Sequence, residues 1–155
     1  MELDIARVKW TSKRQFVGTD EAGHSVVMDA KPEYKGEGSG FRPVELVLHG
    51  LAGCTGMDVI SVLEKKRQDV RGLEIIVEGV QRIDEYPKIY SELSVEYVVT
   101  GYGVKPEAVA RAIELSETKY CAVRGMFSDE VRLNTSFRIV EALAPGVAPS
   151  TEGAE

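Results

Sequence analysis

The sequence predicts an α+β fold, with antiparallel sheets packed around a long central helix. Three observations predict it. Residues 43–67, PVELVLHGLAGCTGMDVISVLEKKR, form the longest helical run, and apolar residues surround its axis instead of forming one stripe. A helix apolar all round is buried on several sides. Three short alternating segments precede it, and two longer ones, 72–84 and 89–100, follow as a hairpin. A second helical pattern opens at Pro106, ahead of a last alternating strand over 130–141.

The elements follow in order. Residues 1–10 alternate through Leu3, Ile5, Val8 and Trp10, with one slip of the period that reads as a bulge. A polar turn over 11–14 leads to strands at 15–19 and 25–30, completing a small antiparallel meander. Residues 31–41 are rich in Gly, Lys and Glu and predict a flexible loop, long enough to be functional. In the central helix, Pro43 and Glu45 suit the first turn, and Lys65, Lys66 and Arg67 complement the negative end. Gly50 and Gly53 each cost about 1 kcal/mol against Ala in a helix interior, so close packing against another helix is expected there.

The hairpin turns at 85–88. Leu73, Ile75, Val77, Val80, Leu93, Val95, Tyr97 and Val99 are expected inward, with Glu74, Glu78, Glu92 and Glu96 on a solvated face. The second helix runs to Tyr120 with Val109, Ala112, Ile113 and Ser116 on one side. Residues 142–155 are small, acidic and Pro-containing and read as a disordered tail behind a single domain over 1–141.

Composition narrows the function. The chain has 155 residues, 43% of them hydrophobic and 28% charged, enough to bury a real core. A formal net charge of −6 argues against general nucleic-acid binding. Glu45, His49, Asp58 and Ser61 interrupt the long helix, and the first ten residues lack an apolar signal region, so a cytoplasmic chain without a membrane partner is expected. Cys54, Cys121, His24 and His49 match no zinc spacing, and GEGSG at 36–40 lacks the Lys-Ser/Thr of a phosphate loop. Neither a metal nor a cofactor is expected.

The two cysteines are the sharpest chemical signal. A lone buried cysteine behaves as a small hydrophobe. A reactive one needs a cation, a helix N-terminus or hydrogen-bond donors to hold its thiolate. Cys54 lies about three turns into its helix, where the dipole helps little. Asp58, one turn later on the same face, would raise the thiol's pKa if ionised. Lys13 and Arg14, or Arg124 after Cys121, are the candidate cations.

The run Pro43-x-Glu45-Leu46, then Leu51-Ala-Gly-Cys54-Thr-Gly-Met-Asp58-Val, together with Lys119-Tyr-Cys121-Ala-Val after a second helix, resembles the OsmC/Ohr superfamily. The order of elements also matches, and the resemblance covers about residues 1–141. It is similar to the OsmC-like, YhfA-type branch more than to Ohr proper. The resemblance implies an intertwined homodimer, antiparallel sheets around two central helices, with each active site drawn from both chains. It implies a thiol-dependent peroxidase for organic hydroperoxides, with Cys54 as peroxidatic and Cys121 as resolving thiol. An intrachain disulfide would form and be reduced by a dithiol such as a lipoylated protein, as part of an oxidative stress response. Such steps follow the ordinary thiol oxidation ladder. It also implies an acid and an arginine beside Cys54. Where Ohr enzymes have that acid this chain has Val44, with Glu45 one position on, and Arg14 is the nearest arginine. One residue is roughly a 100° turn of a helix, so Glu45 would face away from Cys54. The competing reading is a binding protein of the same fold for a small hydrophobic molecule or electrophile. His49 stands outside the Ohr pattern and reads as a packed or interface residue.

Overall fold

The computed structural model describes residues 3–146. The chain divides into two compact units, Met1–Val47 and Leu48–Glu155.

In the first unit, β1 (Arg7–Ser12), β2 (Gln15–Thr19) and β3 (Ser25–Met28) form an antiparallel sheet in chain order. The meander is the one that alternation predicts, but β1 starts later, and its irregularity falls between Trp10 and Ser12. The loop before the long helix is tied down, where flexibility was expected. Asp29, 2% exposed, accepts the backbone N–H groups of Ala30, Glu37 and Ser39 and the Ser39 hydroxyl. Gly36 is obligatory beside it: a Cβ there would lie 1.9 Å from the Ala30 carbonyl oxygen.

Helix α1 spans Pro43–Lys65. Its start is held by Glu45, which accepts the Arg42 backbone N–H at 2.9 Å, the return half of a capping box. Just beyond its last residue, Arg67 with a φ of 56° takes the left-handed conformation common after helices. By length and composition alone α1 could cross a membrane, so its polar interruptions do not by themselves exclude a span. Within the chain its buried residues are Leu51, Thr55, Val59, Val62 and Leu63. Their three-and-four spacing makes one stripe. Gly50, Gly53 and Met57 lie outside it and are exposed, so the single chain covers one face where burial on several sides was expected.

In the second unit, β4 (Asp69–Gln81) and β5 (Tyr90–Tyr102) form the expected antiparallel hairpin, with Ile75 opposite Tyr97. Helix α2 (Pro106–Leu115) continues into a π-helical turn at Ser116–Tyr120, then the single turn α3 (Ala122–Gly125) and strand β6 (Arg132–Glu141). β6 pairs with β5 in parallel, which corrects the expectation of purely antiparallel sheets. The reason lies in the connection. A helical crossover separates the two strands, and it returns the chain to the edge of β5 in the same direction.

Leu93, Val95, Tyr97 and Val99 of β5 are buried, as their alternation predicts. Val80 is not inward: it is 59% exposed, near the register shift that ends the hairpin pairing. Glu92 and Glu96 sit on the other face but are engaged, Glu92 by Arg132 and Asn134 and Glu96 by Arg138. At the end of β6 the Ala142 N–H donates to the Gly101 carbonyl, and Arg71 donates to that of Leu143. The tail expected to be disordered therefore begins bonded to the sheet, and its residues 147–155 lie outside the described residues.

Candidate dithiol site

Two helical segments and one strand of the Leu48–Glu155 unit build the site. α1 carries Cys54, Thr55 and Asp58, β5 carries Tyr97, and the segment after α2 carries Ser116 and Cys121. Positions 54 and 58 are one turn apart and so share a face of α1. The π turn adds residues to the end of α2 and delivers Cys121 to the cap of α3. Such turns are frequent at functional sites.

Cys54 and Cys121 are both free thiols, the first half-buried and the second buried. The two sulfurs and one Asp58 carboxylate oxygen all lie within 4.8 Å of one another. Cys121 Sγ also accepts the backbone N–H of Arg124 at 3.3 Å. Burial pushes the Cys121 thiol up to about 11; the Arg124 N–H opposes this, while the neighbouring Cys54 and Asp58 add to it. At neutral pH Cys121 is therefore a thiol, not a thiolate.

Behind the sulfurs runs a line of hydroxyls. Ser116 Oγ donates to Asp58 Oδ2 at 2.8 Å. Thr55 Oγ1 is 2.8 Å from Ser116 Oγ and 2.7 Å from the Tyr97 hydroxyl. Each hydroxyl has one proton, so Ser116, having given its own to the carboxylate, must accept from Thr55, and Thr55 from Tyr97. Burial pushes Tyr97 up to about 12, which keeps the phenol protonated as the donor at the end of the line. Sequence reasoning placed Ser116 and Tyr97 on apolar faces without giving them a role. The signal was there: a hydroxyl in an apolar stripe has to find a partner.

A cavity of about 10 Å³ adjoins the site, lined by Thr55, Tyr97, Glu117, Cys121 and Arg124 among others. That is room for about one water. Of the cations named from sequence, Arg124 is the one that lines it. Arg14 lies in the β1–β2 turn of the Met1–Val47 unit and donates to the Lys13 carbonyl. Glu45 belongs to that unit too and pairs with Arg42 at 2.8 Å, which holds its carboxyl below the ordinary value, the Arg42 backbone N–H acting first. Two thiols and a carboxylate are donor types that a thiophilic cation accepts. Only these three meet among the described residues, and Asp58 and Cys121 already take hydrogen bonds from Ser116 and Arg124.

Two unlinked thiols, distant in sequence and neighbours in an α+β fold, define a dithiol protein. The comparisons name the family. The family described as OsmC-like protein matches residues 36–136, and the chain belongs to it. It is 37% identical to protein YhfA of Escherichia coli strain K12, over 88% of this chain and 98% of that one. A hypothetical protein from Aquifex aeolicus is 31% identical, with a TM-score of 0.81 over 92% of this chain and 100% of the other. An organic hydroperoxide resistance protein OsmC from Legionella pneumophila shares the fold, with a TM-score of 0.66 at 16% identity, over 88% and 97% of the two chains.

Proposed function

We propose that the chain is a thiol-dependent peroxidase that reduces organic hydroperoxides. The observation that carries this reading is the approach of Cys54 and Cys121 to within 4.8 Å as free thiols. The Legionella protein of the same fold, an organic hydroperoxide resistance protein, points the same way. Cys54 attacks the terminal oxygen of the hydroperoxide, the O–O bond breaks, and the alkoxide leaves as alcohol after taking a proton. Cys54 becomes a sulfenic acid. Cys121 then attacks that sulfur, a disulfide forms and water leaves. A dithiol reductant, such as a lipoylated protein, returns the pair to thiols by exchange. The cytoplasm, where thiols are kept reduced, suits this cycle.

The same reading includes a homodimer. Met57 is 76% exposed, and a groove of about 540 Å³ beside it is lined by Ala52, Gly53, Gly56, Ile60, Leu73 and Ile75. A Cβ built on Gly50 or Gly53 would meet nothing within 4 Å. A second α1 would cover this apolar surface, and Arg14 and Glu45 are the residues we assign to support Cys54 in that assembly. The working unit on this proposal is one domain over 1–141.

A second reading has an observation of its own. Glu45 is occupied by Arg42 at the start of α1, so the acid that would tune Cys54 has a structural use. The fold would then serve as a binding protein for a hydrophobic molecule or electrophile. Thiol counting after one equivalent of cumene hydroperoxide separates the two. Rapid loss of two thiols per chain supports the peroxidase; slow loss with retained ligand binding supports the binding protein.

A further inference from the structure

The closing step leaves a proton problem that the dithiol alone does not solve. Cys121 starts as a buried thiol and must lose a proton as it attacks. The oxygen on Cys54 leaves as hydroxide and must gain one. The two needs arise on opposite sides of the same new S–S bond.

One side chain reaches both. A carboxylate oxygen of Asp58 lies within 4.8 Å of each sulfur, a gap that one water or a small side-chain movement spans. Its Oδ2 is held by Ser116, which is held in turn by Thr55 and Tyr97. The carboxylate is therefore fixed from behind by a line of hydroxyls whose protons all point toward it. Asp58 takes no part in any ion pair among the described residues that would occupy it otherwise.

Resting on the peroxidase reading, we propose that Asp58 carries the proton of disulfide closure, with Ser116, Thr55 and Tyr97 as its positioning residues. The proton on Cys121 Sγ passes to Asp58 as the S–S bond forms. The S–O bond of the Cys54 sulfenic acid breaks, and the departing hydroxide takes the proton from Asp58 and leaves as water. Cys121 is oxidised and the sulfenic sulfur is reduced by the same electron pair, so Asp58 ends as it began. The carboxylate also explains a pairing that otherwise works against the chemistry. A negative group beside a thiol disfavours a standing thiolate. It suits a thiol that gives up its proton only in the act of attacking.

The test separates this step from the peroxide reaction. Dithiobis-nitrobenzoate first makes a mixed disulfide at Cys54; attack by Cys121 then releases a second thionitrobenzoate without any hydroperoxide. In Asp58→Asn, which still accepts from Ser116, the second release slows by about 10²-fold or more. Its rate then climbs about tenfold per pH unit, because hydroxide has replaced the internal base, whereas the wild-type rate is nearly flat from about pH 6 to 9. Asp58→Glu recovers part of the rate and the flat profile. The other titratable groups facing Cys121 are Cys54 on α1, Tyr97 on β5, Glu117 on the π turn and Arg124 on α3. Glu117→Gln and Arg124→Gln keep the flat profile. With cumene hydroperoxide, the sulfenic acid of Asp58→Asn persists long enough to be trapped by dimedone.

An Asn variant that releases the second thionitrobenzoate at the wild-type rate overturns the proposal. So does a slowed release with the wild-type pH profile, which marks a displaced thiol instead of a lost base. Should the Asn variant not fold, Ser116→Ala decides: slower closure supports Asp58, an unchanged rate overturns it. Failure of cumene hydroperoxide to oxidise the wild-type chain sinks the peroxidase reading instead, and leaves the thionitrobenzoate result to judge Asp58.

Discussion

Tyr97 Oη and Thr55 Oγ1 lie 2.7 Å apart in the interior, so a phenol on β5 and a hydroxyl on α1 form one end of the line that reaches Asp58. Tyr97 is 1% exposed, and the Thr55 hydroxyl is the one partner shared by Tyr97 and Ser116. Both side chains are closed off from bulk solvent.

Thr55→Val therefore leaves the Tyr97 phenol buried without its partner. The expected cost is about 1–3 kcal/mol, the usual penalty of an orphaned buried hydroxyl. Urea denaturation measures it. A double variant, Thr55→Val with Tyr97→Phe, recovers part of the loss because both polar ends are gone; a purely additive result would argue against the contact.

The cysteines are expected to fail in different ways. Cys54→Ser loses hydroperoxide turnover altogether. Cys121→Ser still consumes one equivalent, stops at the sulfenic acid and gives no intrachain disulfide. Intact mass under non-reducing conditions, with and without dimedone, reads both outcomes. Retained turnover in Cys54→Ser would reverse the assignment of roles.

Acid loosens the loop before α1. The Ser39 hydroxyl and N–H hold the Asp29 carboxyl down at about 2, with further help from the Ala30 and Glu37 N–H groups. A carboxyl depressed on folding binds fewer protons in the native than in the unfolded chain, so its contribution is present above the unfolded value near 4 and is lost as the pH falls toward 2. Stability is expected to drop over that window, and less steeply in Asp29→Asn, as followed by thermal melts between about pH 5 and 2.

Glu45→Ala should remove the return half of the capping box and lower stability by about 0.5–1 kcal/mol, the usual effect of a first-turn acid or cap. Glu45→Gln retains the bond from the Arg42 N–H and should lose less. Comparing the hydroperoxide rates of the two variants then asks whether the carboxylate has any use beyond the helix start.

Backbone crowding gives a sharper contrast. A Cβ on Gly101 would lie 2.2 Å from the Asp69 carbonyl oxygen, whereas one on Gly72 would meet Thr100 Cβ at 3.4 Å. Gly101→Ala is expected to cost about 1–3 kcal/mol, with Gly72→Ala well below it. Chemical denaturation of the pair checks the order.

Much of the architecture could be read from period and punctuation. The meander, α1, the hairpin and the start of α2 all carry strong local patterns, with Pro43 and Pro106 as first helical residues. The parallel pairing of β6 could not be read, because alternation records which side chains point inward and says nothing of strand direction. The covered and bare sides of α1 were equally illegible: a helix apolar all round does not say which side its own chain supplies. Within the site, Asp58 was visible as the residue one turn beyond Cys54. The approach of Cys121, and the sharing of one hydroxyl by Tyr97 and Ser116, are long-range facts created by packing. The tether of the 31–41 loop was hidden because its anchor, Asp29, lies outside the Gly-rich run.

The π turn at Ser116–Tyr120 fixes a length more strictly than a composition. Thr118, Lys119 and Tyr120 are exposed and could be exchanged widely for other side chains. Removing a single one of them would swing everything downstream by roughly 100° and carry the second sulfur off its mark. In this segment the molecule is tolerant of spelling and intolerant of a miscount.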